Sequence, residues 1–207
     1  MTAAAHVPDD ERSNHTIDPF RELVPWIPGH ARTALDIGCG EGFAARTLAR
    51  RGLHVTAIDL DEPSLAAARE QDTAGIDYRL GDFLTDDALT RAAGTFDAVT
   101  ALAVLHHVDL EAGFMRCREL LASGGTLLVV GCAASELPRD VGREAAAAAA
   151  ELWSRLRRRP RWEQPSPTVW PPPVTYSAVR AAAERIFPGA LYQRRLSWRY
   201  TLVWRKP

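Results

Sequence analysis

Short apolar segments alternate with helical segments between residues 33 and 131 of this 207-residue chain. Five segments have the length and apolar composition of buried strands, namely 33–38, 54–59, 76–80, 96–101 and 126–131. Four segments between them have helical composition, namely 43–51, 62–70, 86–93 and 111–121. Because strands that alternate with helices usually pair in parallel, this pattern predicts a doubly wound α/β sheet with helices on both faces.

The pattern changes after the fifth predicted strand. Residues 139–159 predict a long, alanine-rich helix, since alanine has the highest helix propensity, and a loop rich in proline and tryptophan follows at 160–173. A further helix is predicted over 175–187. Two segments, 191–198 and 199–206, have the composition of strands that pair antiparallel. The sequence contains no internal repeat and no long linker, which indicates one domain.

The bulk composition argues against several classes of protein. A formal net charge of −1 gives the chain no overall attraction to nucleic acid or to an anionic membrane surface. No apolar run approaches the roughly 20 residues of a membrane span, and the first 15 residues lack the apolar core of a secretory signal. The three cysteines are widely spaced and match no metal-binding or disulfide pattern. These observations predict a cytoplasmic protein without a metal.

A glycine-rich loop follows the first predicted strand in LDIGCGEG, residues 35–42. Glycines between a strand and a helix let the backbone approach a ligand closely. Asp59 ends the second strand, where a carboxylate can accept both hydroxyls of a ribose. Asp36 lies just before the glycines, and its charge would repel a pyrophosphate but attract an ammonium group. Gly42 also falls one residue early for the dinucleotide fingerprint, so a nucleoside with a cationic group is favoured.

LDIGCGEG, followed by AIDLD (57–61) and GDF (81–83), resembles the class I S-adenosylmethionine-dependent methyltransferases, in particular their small, ubiquinone-biosynthesis-like bacterial branch. The ending WRYTLVWRKP extends the resemblance to the final strands. The resemblance implies a Rossmann-like sheet of seven strands with an antiparallel last strand, S-adenosyl-L-methionine as cofactor and S-adenosyl-L-homocysteine as product. It divides the single domain, 1–207, as follows: an N-terminal cap at 1–29, a cofactor-binding core at 30–132, a lid insertion at 133–174, and a final helix and strand hairpin at 175–207.

The resemblance also implies which residues contact the methionine end of the cofactor. Asp36 would hold the ammonium group, and the backbone of Gly38, Cys39 and Gly40 would contact the same region. Cys39 is expected as a small residue in a tight turn rather than as a nucleophile. His15, in the N-terminal cap, would approach the methionine carboxylate, with a surface-capping role as the alternative.

A second group of residues is implied for the nucleoside end. Asp59 would bind the ribose, and Leu60 would pack against the adenine. In the segment Gly81-Asp82-Phe83, the acid would accept a hydrogen bond from the adenine amino group and Phe83 would cover the ring. For Asp82 the alternative is a helix N-cap or a solvated loop residue.

Two adjacent histidines, His106 and His107, follow the fourth predicted strand. In the implied fold this segment runs beside the methyl group, so Ala101 and Leu102 would line the cofactor. A general base assists methyl transfer when the acceptor is a hydroxyl or a protonated amine. Because neighbouring side chains on a helical turn point about 100° apart, we predict that His106 faces the acceptor as a base or an orienting group. His107 is predicted to make a fixed hydrogen bond within the fold, and a structural role for both histidines is the alternative.

The predicted lid contains three tryptophans, which suit a flat or apolar small-molecule acceptor. Its arginine-rich stretch at 155–162 is interpreted as a solvated helix end, with RNA or an acidic carrier as the alternative. The chain lacks the motifs of amino or pyrimidine-carbon methylation of bases, so a nucleic acid partner is not expected. The sequence therefore predicts methyl transfer to oxygen or nitrogen of a small molecule in bacterial secondary or quinone-like metabolism. The alternatives are an NAD-dependent oxidoreductase and a non-catalytic cofactor-binding protein.

Overall fold

The computed structural model describes residues 8–72, 75–136, 138, 140–142, 145–147, 149 and 171–207. The strands in these residues are β1 (Thr33–Ile37), β2 (His54–Asp59), β3 (Asp77–Leu80), β4 (Phe96–Leu102), β5 (Leu121–Cys132), β6 (Leu191–Arg194) and β7 (Arg199–Arg205). They form a seven-stranded sheet in the order β3-β2-β1-β4-β5-β7-β6. The first five strands pair in parallel, whereas β7 runs antiparallel to both of its neighbours. The predicted Rossmann-like fold is therefore confirmed.

Helices cover both faces of this sheet. They are α1 (Ile17–Leu23), α2 (Phe43–Ala49), α3 (Glu62–Gln71), α4 (Asp87–Arg91), α5 (Leu110–Leu120) and α6 (Tyr176–Ile186). Two short 3₁₀ turns, η1 (Val24–Trp26) and η2 (Leu105–His107), accompany them. Buried residues of α1, α2 and α3 form one hydrophobic cluster with the sheet, and those of α4, α5 and α6 form the other. No helix in the described part of the chain is long and apolar enough to cross a membrane.

Side-chain caps explain where several helices begin. Asp61, Asp86 and Asp109 each accept a hydrogen bond from a backbone N–H group of the first turn that follows. Such a cap satisfies one of the N–H groups that has no partner within the helix. The helix predicted from residue 86 therefore starts at Asp87, because Asp86 is its cap. These caps place the loops that precede the helices at the carboxyl edge of the sheet.

The C-terminal region differs in detail from the prediction. The strand predicted over 191–198 ends at Arg194, because Ser197 and Trp198 adopt left-handed backbone conformations with φ near 56° and 58°. These residues form the turn of the predicted antiparallel pair. β7 lies between β5 and β6 and therefore joins the hairpin to the rest of the sheet. The helix predicted over 139–159, the loop over 160–173 and the arginine-rich stretch lie largely or wholly outside the described residues.

Candidate active site

The carboxyl ends of β1, β2 and β4 meet at one edge of the sheet. β1 lies between β2 and β4, so the order of the strands along the sheet reverses beside it. In doubly wound sheets, ligands bind in the crevice that forms at such a reversal. Asp36, in the second-last position of β1, and Asp59, in the last position of β2, both lie at this edge.

The glycine loop after β1 has a backbone that only glycine adopts easily. Gly38, Gly40 and Gly42 have φ values of 62°, 52° and 77°, in the left-handed region that other residues avoid. A Cβ atom on Gly42 would lie 2.5 Å from the hydroxyl oxygen of Tyr78, and one on Gly38 would overlap Val104. The loop therefore requires glycine at these positions for both backbone and packing reasons.

Three N–H groups in the first part of this loop are already used within the protein. Those of Gly38 and Cys39 donate to the carbonyl oxygen of Ile58 at 2.8 and 3.1 Å, and that of Gly40 donates to Asp59 Oδ2 at 2.7 Å. A phosphate group is recognised mainly by free N–H groups. This part of the loop therefore offers a ligand carbonyl oxygens and close packing instead, which disfavours a pyrophosphate and hence a dinucleotide.

Asp36 presents an unsatisfied carboxylate oxygen at the start of this loop. Its side chain is 1% exposed; Oδ1 accepts a hydrogen bond from Thr100 Oγ1 at 2.7 Å, and Oδ2 has no partner within the described structure. Burial raises the pKa of Asp36 to about 7; the hydrogen bond from Thr100 and the backbone N–H of Ala45 oppose this shift, and the nearby charge of Asp59 adds to it. A buried polar atom without a partner is costly, and a cationic ligand would satisfy this one.

A small cleft opens beside Asp36. Its walls come from the N-terminal segment, the glycine loop, the start of α2 and the end of β4, and consist of Thr16, Ile17, Asp36, Gly38, Cys39, Glu41, Phe43, Ala44 and Leu102. His15 is half-buried next to Thr16 but is not part of the wall. Burial raises the pKa of the Cys39 thiol far above its usual value, so the thiol stays protonated, as expected for a small residue in a turn.

The residues predicted for the nucleoside end have different surroundings. Asp59 Oδ1 accepts a hydrogen bond from the backbone of Asp61 at 2.9 Å, and Leu60 is 70% exposed beside it. Asp82 Oδ1 accepts from the backbone N–H of Leu84 at 2.9 Å, so Asp82 stabilises its own loop. The backbone N–H of Gly81 donates to the carbonyl oxygen of Asp59 at 2.9 Å, which holds the two loops side by side.

Two residues predicted to contact the cofactor point into the core instead. Phe83 is 6% exposed and packs near Gly113 of α5, so its ring is not available to cover an adenine at the surface. Ala101 is fully buried in the same cluster, whereas its neighbour Leu102 lines the cleft. Because successive strand residues point to opposite faces, these two positions of β4 could not both face the cofactor.

The two histidines lie on the η2 turn and have opposite environments. His106 is 6% exposed, and its Nδ1 atom has no hydrogen-bond partner in the described part of the chain. His107 is exposed, and its ring packs against that of His106 with 4.1 Å between centroids. Successive residues of a 3₁₀ turn are rotated by about 120°, yet the two rings lie against each other with 40° between their planes. No hydrogen bond from the His107 side chain is found among the described residues, so the fixed bond predicted for it stays a prediction.

Charge separates the histidines further. Burial lowers the pKa of His106 to about 4, and the positive charges of His107 and Arg199 contribute to this shift. Burial also lowers the pKa of His107, but the negative charge of Asp59 acts in the opposite direction. His106 is therefore a neutral group that is buried at the carboxyl edge of the sheet. His107 is exposed at the same edge, on the side that carries Asp59.

Comparison with known proteins identifies the chain at the level of its family. A model of the methyltransferase domain matches residues 35–129. An uncharacterized methyltransferase of Mycobacterium tuberculosis (strain H37Rv) is 35% identical over 200 residues, which cover 96% of this chain and 99% of the relative. This chain belongs to the S-adenosylmethionine-dependent methyltransferase family.

Further similarities of this methyltransferase are more distant or partial. A ubiquinone biosynthesis O-methyltransferase of Pseudomonas paraeruginosa is 37% identical over 123 residues, which cover 56% of this chain and 51% of that protein. The crystal structure of the PH0226 protein from Pyrococcus horikoshii superposes with a TM-score of 0.63 at 19% identity, and the match covers 96% of this chain and 94% of that one. At this identity the structural similarity supports the fold alone.

One structural neighbour contains the reaction product of the family. The phosphoethanolamine N-methyltransferase 2 of Haemonchus contortus was solved with phosphomonomethylethanolamine and S-adenosylhomocysteine. It superposes with a TM-score of 0.58 at 19% identity, over 89% of this chain and 42% of that one. At this identity the similarity again supports the fold alone, and the bound molecules are those of that protein.

The sequence did not reveal a cluster of ion pairs that joins the N-terminal segment of the methyltransferase to α2. Asp9 accepts hydrogen bonds from Arg46 at 2.8 and 2.9 Å and from Arg50, and Arg46 also donates to the carbonyl oxygen of Glu41 in the glycine loop. Burial alone would raise the pKa of Asp9, but the hydrogen bonds and charges of the two arginines outweigh it and lower the pKa to about 2. The run of charged residues in 8–13 was the signal available in the sequence, but Arg46 and Arg50, the partners of Asp9, lie more than 30 residues away.

Arg199 was also missed as a candidate site residue. It is the first residue of β7 and is partly buried. Its Nε atom donates to Thr16 Oγ1 at 3.1 Å, and Thr16 lines the cleft next to Asp36. The final strand was predicted from its apolar residues, and nothing in its local pattern indicates that its first arginine reaches this edge.

Proposed function

We propose that this methyltransferase transfers a methyl group from S-adenosyl-L-methionine to an oxygen or a nitrogen atom of a small-molecule acceptor. The observation that carries the proposal is the buried Asp36 Oδ2, which lacks a partner and faces a loop whose N–H groups are used internally. The cofactor supplies an electrophilic sulfonium methyl group, so the protein contributes mainly position and orientation. The residues of the cleft fit this cofactor better than they fit NAD.

Each end of the cofactor has its own set of residues in this proposal. Asp36 binds the ammonium group, and the backbone of Gly38, Cys39 and Gly40 lies against the methionine portion. His15 approaches the methionine carboxylate in this proposal, which is supported by its position next to Thr16, a residue of the cleft wall. Its half-buried imidazole can donate a hydrogen bond to a carboxylate.

At the nucleoside end, Asp59 accepts hydrogen bonds from the ribose. Its two oxygens hold the N–H groups of Gly40 and Asp61, but an ionised carboxylate has about four acceptor positions, so two remain for hydroxyl groups. Leu60 supplies an exposed apolar surface for the adenine, and the Gly81-Asp82 loop borders it. Phe83 contributes to this end only through its backbone.

His106 orients the acceptor or accepts its proton. A neutral imidazole has one acceptor nitrogen and one donor nitrogen. Nδ1 is buried without a partner in the described structure, so Nε2 is the nitrogen that would meet a polar group of the acceptor. Its low pKa makes it a weak base, so orientation accounts for more of its contribution than proton removal does. His107 lies at the rim beside Asp59 and makes a secondary contact.

The relatives support the nature of the acceptor and its setting. The partial similarity to a ubiquinone biosynthesis O-methyltransferase favours a small molecule of bacterial secondary or quinone-like metabolism and an oxygen acceptor. The described helices and strands build one sheet with two helical layers, which supports a single functional domain over 1–207. The three cysteines are free and buried, as is usual for proteins of the reducing cytoplasm.

Calorimetric titration of the full chain separates this function from its rivals. We expect S-adenosylhomocysteine to bind and NAD not to bind. The opposite result would establish the oxidoreductase alternative. A screen of small phenols, catechols and amines with radiolabelled methyl donor then identifies the acceptor. Tight binding of the cofactor without turnover of any acceptor would favour the non-catalytic alternative.

A further inference from the structure

Arg199 lies close to η2, the turn that carries the two histidines, because the ends of β4 and β5 and the start of β7 lie side by side. Leu102, the last residue of β4, pairs with Val130 of β5, and the N–H of Ala103 donates to the carbonyl oxygen of Val130 at 2.7 Å. Cys132, the last residue of β5, pairs with Arg199. The turn that carries His106 starts two residues after Ala103. Arg199 and His106 therefore share the carboxyl edge, and they are near enough for the charge of Arg199 to act on His106.

The guanidinium of Arg199 has no carboxylate partner among the described residues. Its contacts are Thr16 Oγ1 at 3.1 Å and the carbonyl oxygen of Ser197 at 3.5 Å. Two nearby arginines do form ion pairs: Arg194 lies 2.9 Å from Asp140, and Arg195 lies 2.7 Å from Glu22. A partly buried charge is costly unless it is paired, and most of the five N–H donors of an arginine remain available here.

His106 adds a second unsatisfied group at the same place. The imidazole is more than nine-tenths buried, and its Nδ1 atom has no partner in the described structure. The positive charges that act on it are those of Arg199 and of His107 in its protonated form, and no carboxylate among the described residues is one of the groups that act on it. An anion held by Arg199 would therefore meet no negative charge next to His106.

We propose, on the basis of the methyltransferase function above, that the acceptor carries a carboxylate or phosphate group that Arg199 binds beside His106. Arginine suits this role because its planar fork can donate two parallel hydrogen bonds to either group. Binding of the anion would neutralise the charge that disfavours protonation of His106. Because burial is the larger cause of the low pKa of His106 and the charge of Arg199 adds to it, the bound anion would raise the basicity of His106 relative to the empty site.

The first test needs no variant. The full chain, saturated with S-adenosylhomocysteine, is titrated with benzoate, with phenyl phosphate and with benzamide, the neutral analogue of benzoate, by calorimetry. We expect at least one of the two anions to bind at least tenfold more tightly than benzamide, and the better anion identifies the group. Equal affinity of the anions and benzamide, or no binding of any of the three, would overturn the inference.

The second test determines whether Arg199 is responsible for the tighter binding of the anion. Arg199→Gln should lower the affinity for the preferred anion at least tenfold without changing that for benzamide, and Arg199→Lys should restore part of the loss. Arg205→Gln is the matched control, because Arg205 lies at the other end of the same strand and contacts the backbone of Gly124. An unchanged anion affinity in Arg199→Gln would contradict the assignment. If that variant does not fold, Arg199→Lys is compared with Arg205→Lys in the same way.

A readout at His106 distinguishes an electrostatic site from a change in structure. NMR titration of protein labelled at histidine nitrogen should show that the pKa of His106 rises when the anion binds and also rises in free Arg199→Gln. A constant pKa in both cases would contradict the coupling between the two residues. Affinity for S-adenosylhomocysteine is measured separately. Its absence in the wild-type protein would refute the proposed function, whereas its presence without an anion preference refutes only this inference.

Discussion

The carboxyl edge of the sheet consists of two halves with opposite charge. The half that we propose for the cofactor, called the cofactor half, lies at the ends of β1 and β2 and carries the carboxyl groups of Asp36 and Asp59. The half that we propose for the acceptor, called the acceptor half, lies beyond the end of β4 and carries His106 and the guanidinium of Arg199. Both halves lie at the carboxyl ends of strands in the same sheet, so the fold alone does not determine their chemistry. The difference suits a cationic group on one side and an anionic group on the other.

The two halves also differ in how their polar groups are satisfied. Asp59 is held by two backbone N–H groups, and Asp36 leaves one oxygen without a partner. In the acceptor half, by contrast, both His106 Nδ1 and most of the Arg199 donors lack partners in the described part of the chain. The cofactor half is thus largely organised before a ligand binds, and the acceptor half leaves more to be completed by its ligand.

The largest expected effect comes from removing the carboxylate that organises the cofactor half. Asp59→Ala should weaken S-adenosylhomocysteine binding by more than about 100-fold, since each hydrogen bond to a charged group contributes about 1.5–3 kcal/mol. The same change frees the N–H of Gly40 and loosens the glycine loop. Calorimetry measures the loss. Asp77→Ala, an exposed carboxylate at the start of β3, serves as the control, and an unchanged affinity in Asp59→Ala would refute the ribose assignment.

A smaller effect is expected at Asp36, together with a change in pH dependence. The carboxyl group is protonated below a pKa of about 7, and a cationic ligand prefers the ionised form. Affinity for S-adenosylhomocysteine should therefore rise between pH 6 and 7.5 in the wild-type protein. Asp36→Asn should lower the affinity about 10- to 100-fold at pH 7.5 and abolish this rise. Calorimetry at several pH values checks both, and a variant that keeps the rise would show that another group is responsible.

In the acceptor half, His106→Gln should lower turnover about tenfold while cofactor affinity stays within a few-fold. This loss is below the 100-fold or more that is typical of a strong general base, because the pKa of about 4 makes His106 a weak one. Steady-state kinetics with the acceptor found in the screen measure turnover, and calorimetry measures cofactor binding. His107→Gln should have a smaller effect. His54→Gln, at the exposed start of β2, is the matched control.

The smallest expected effect is on the stability of the ligand-free protein. The pKa of Asp36 is higher in the folded chain than in the unfolded one, so its contribution to stability is present at low pH and is lost as the pH rises through about 7. Between pH 6 and 8 this loss is about 1 kcal/mol. Chemical denaturation of wild type and Asp36→Asn at both pH values isolates it. A constant difference between the two proteins would mean that Asp36 does not titrate in this range.

The sequence by itself determined the fold class and much of the cofactor half. The alternation of strands and helices, the Asp36-to-Gly42 loop and the position of Asp59 are all local patterns, set by strand burial, by glycine conformation and by spacing along a single strand–loop–helix unit. For the same reason the final antiparallel pair was predictable from two apolar segments. Its exact ends were not, because the left-handed residues at Ser197 and Trp198 are neither glycine nor asparagine.

Only the tertiary structure decided the direction of individual side chains and the partners of distant ones. Phe83 and Ala101 belong to motifs that suggest cofactor contact, yet packing against α5 turns them into the core. A 3₁₀ turn rather than an α-helix buries His106 and exposes His107. Arg199 meets Thr16 across 183 residues of sequence because β7 inserts beside β5. Contacts of this kind depend on how the layers of the fold pack together, and no local pattern of residues specifies them.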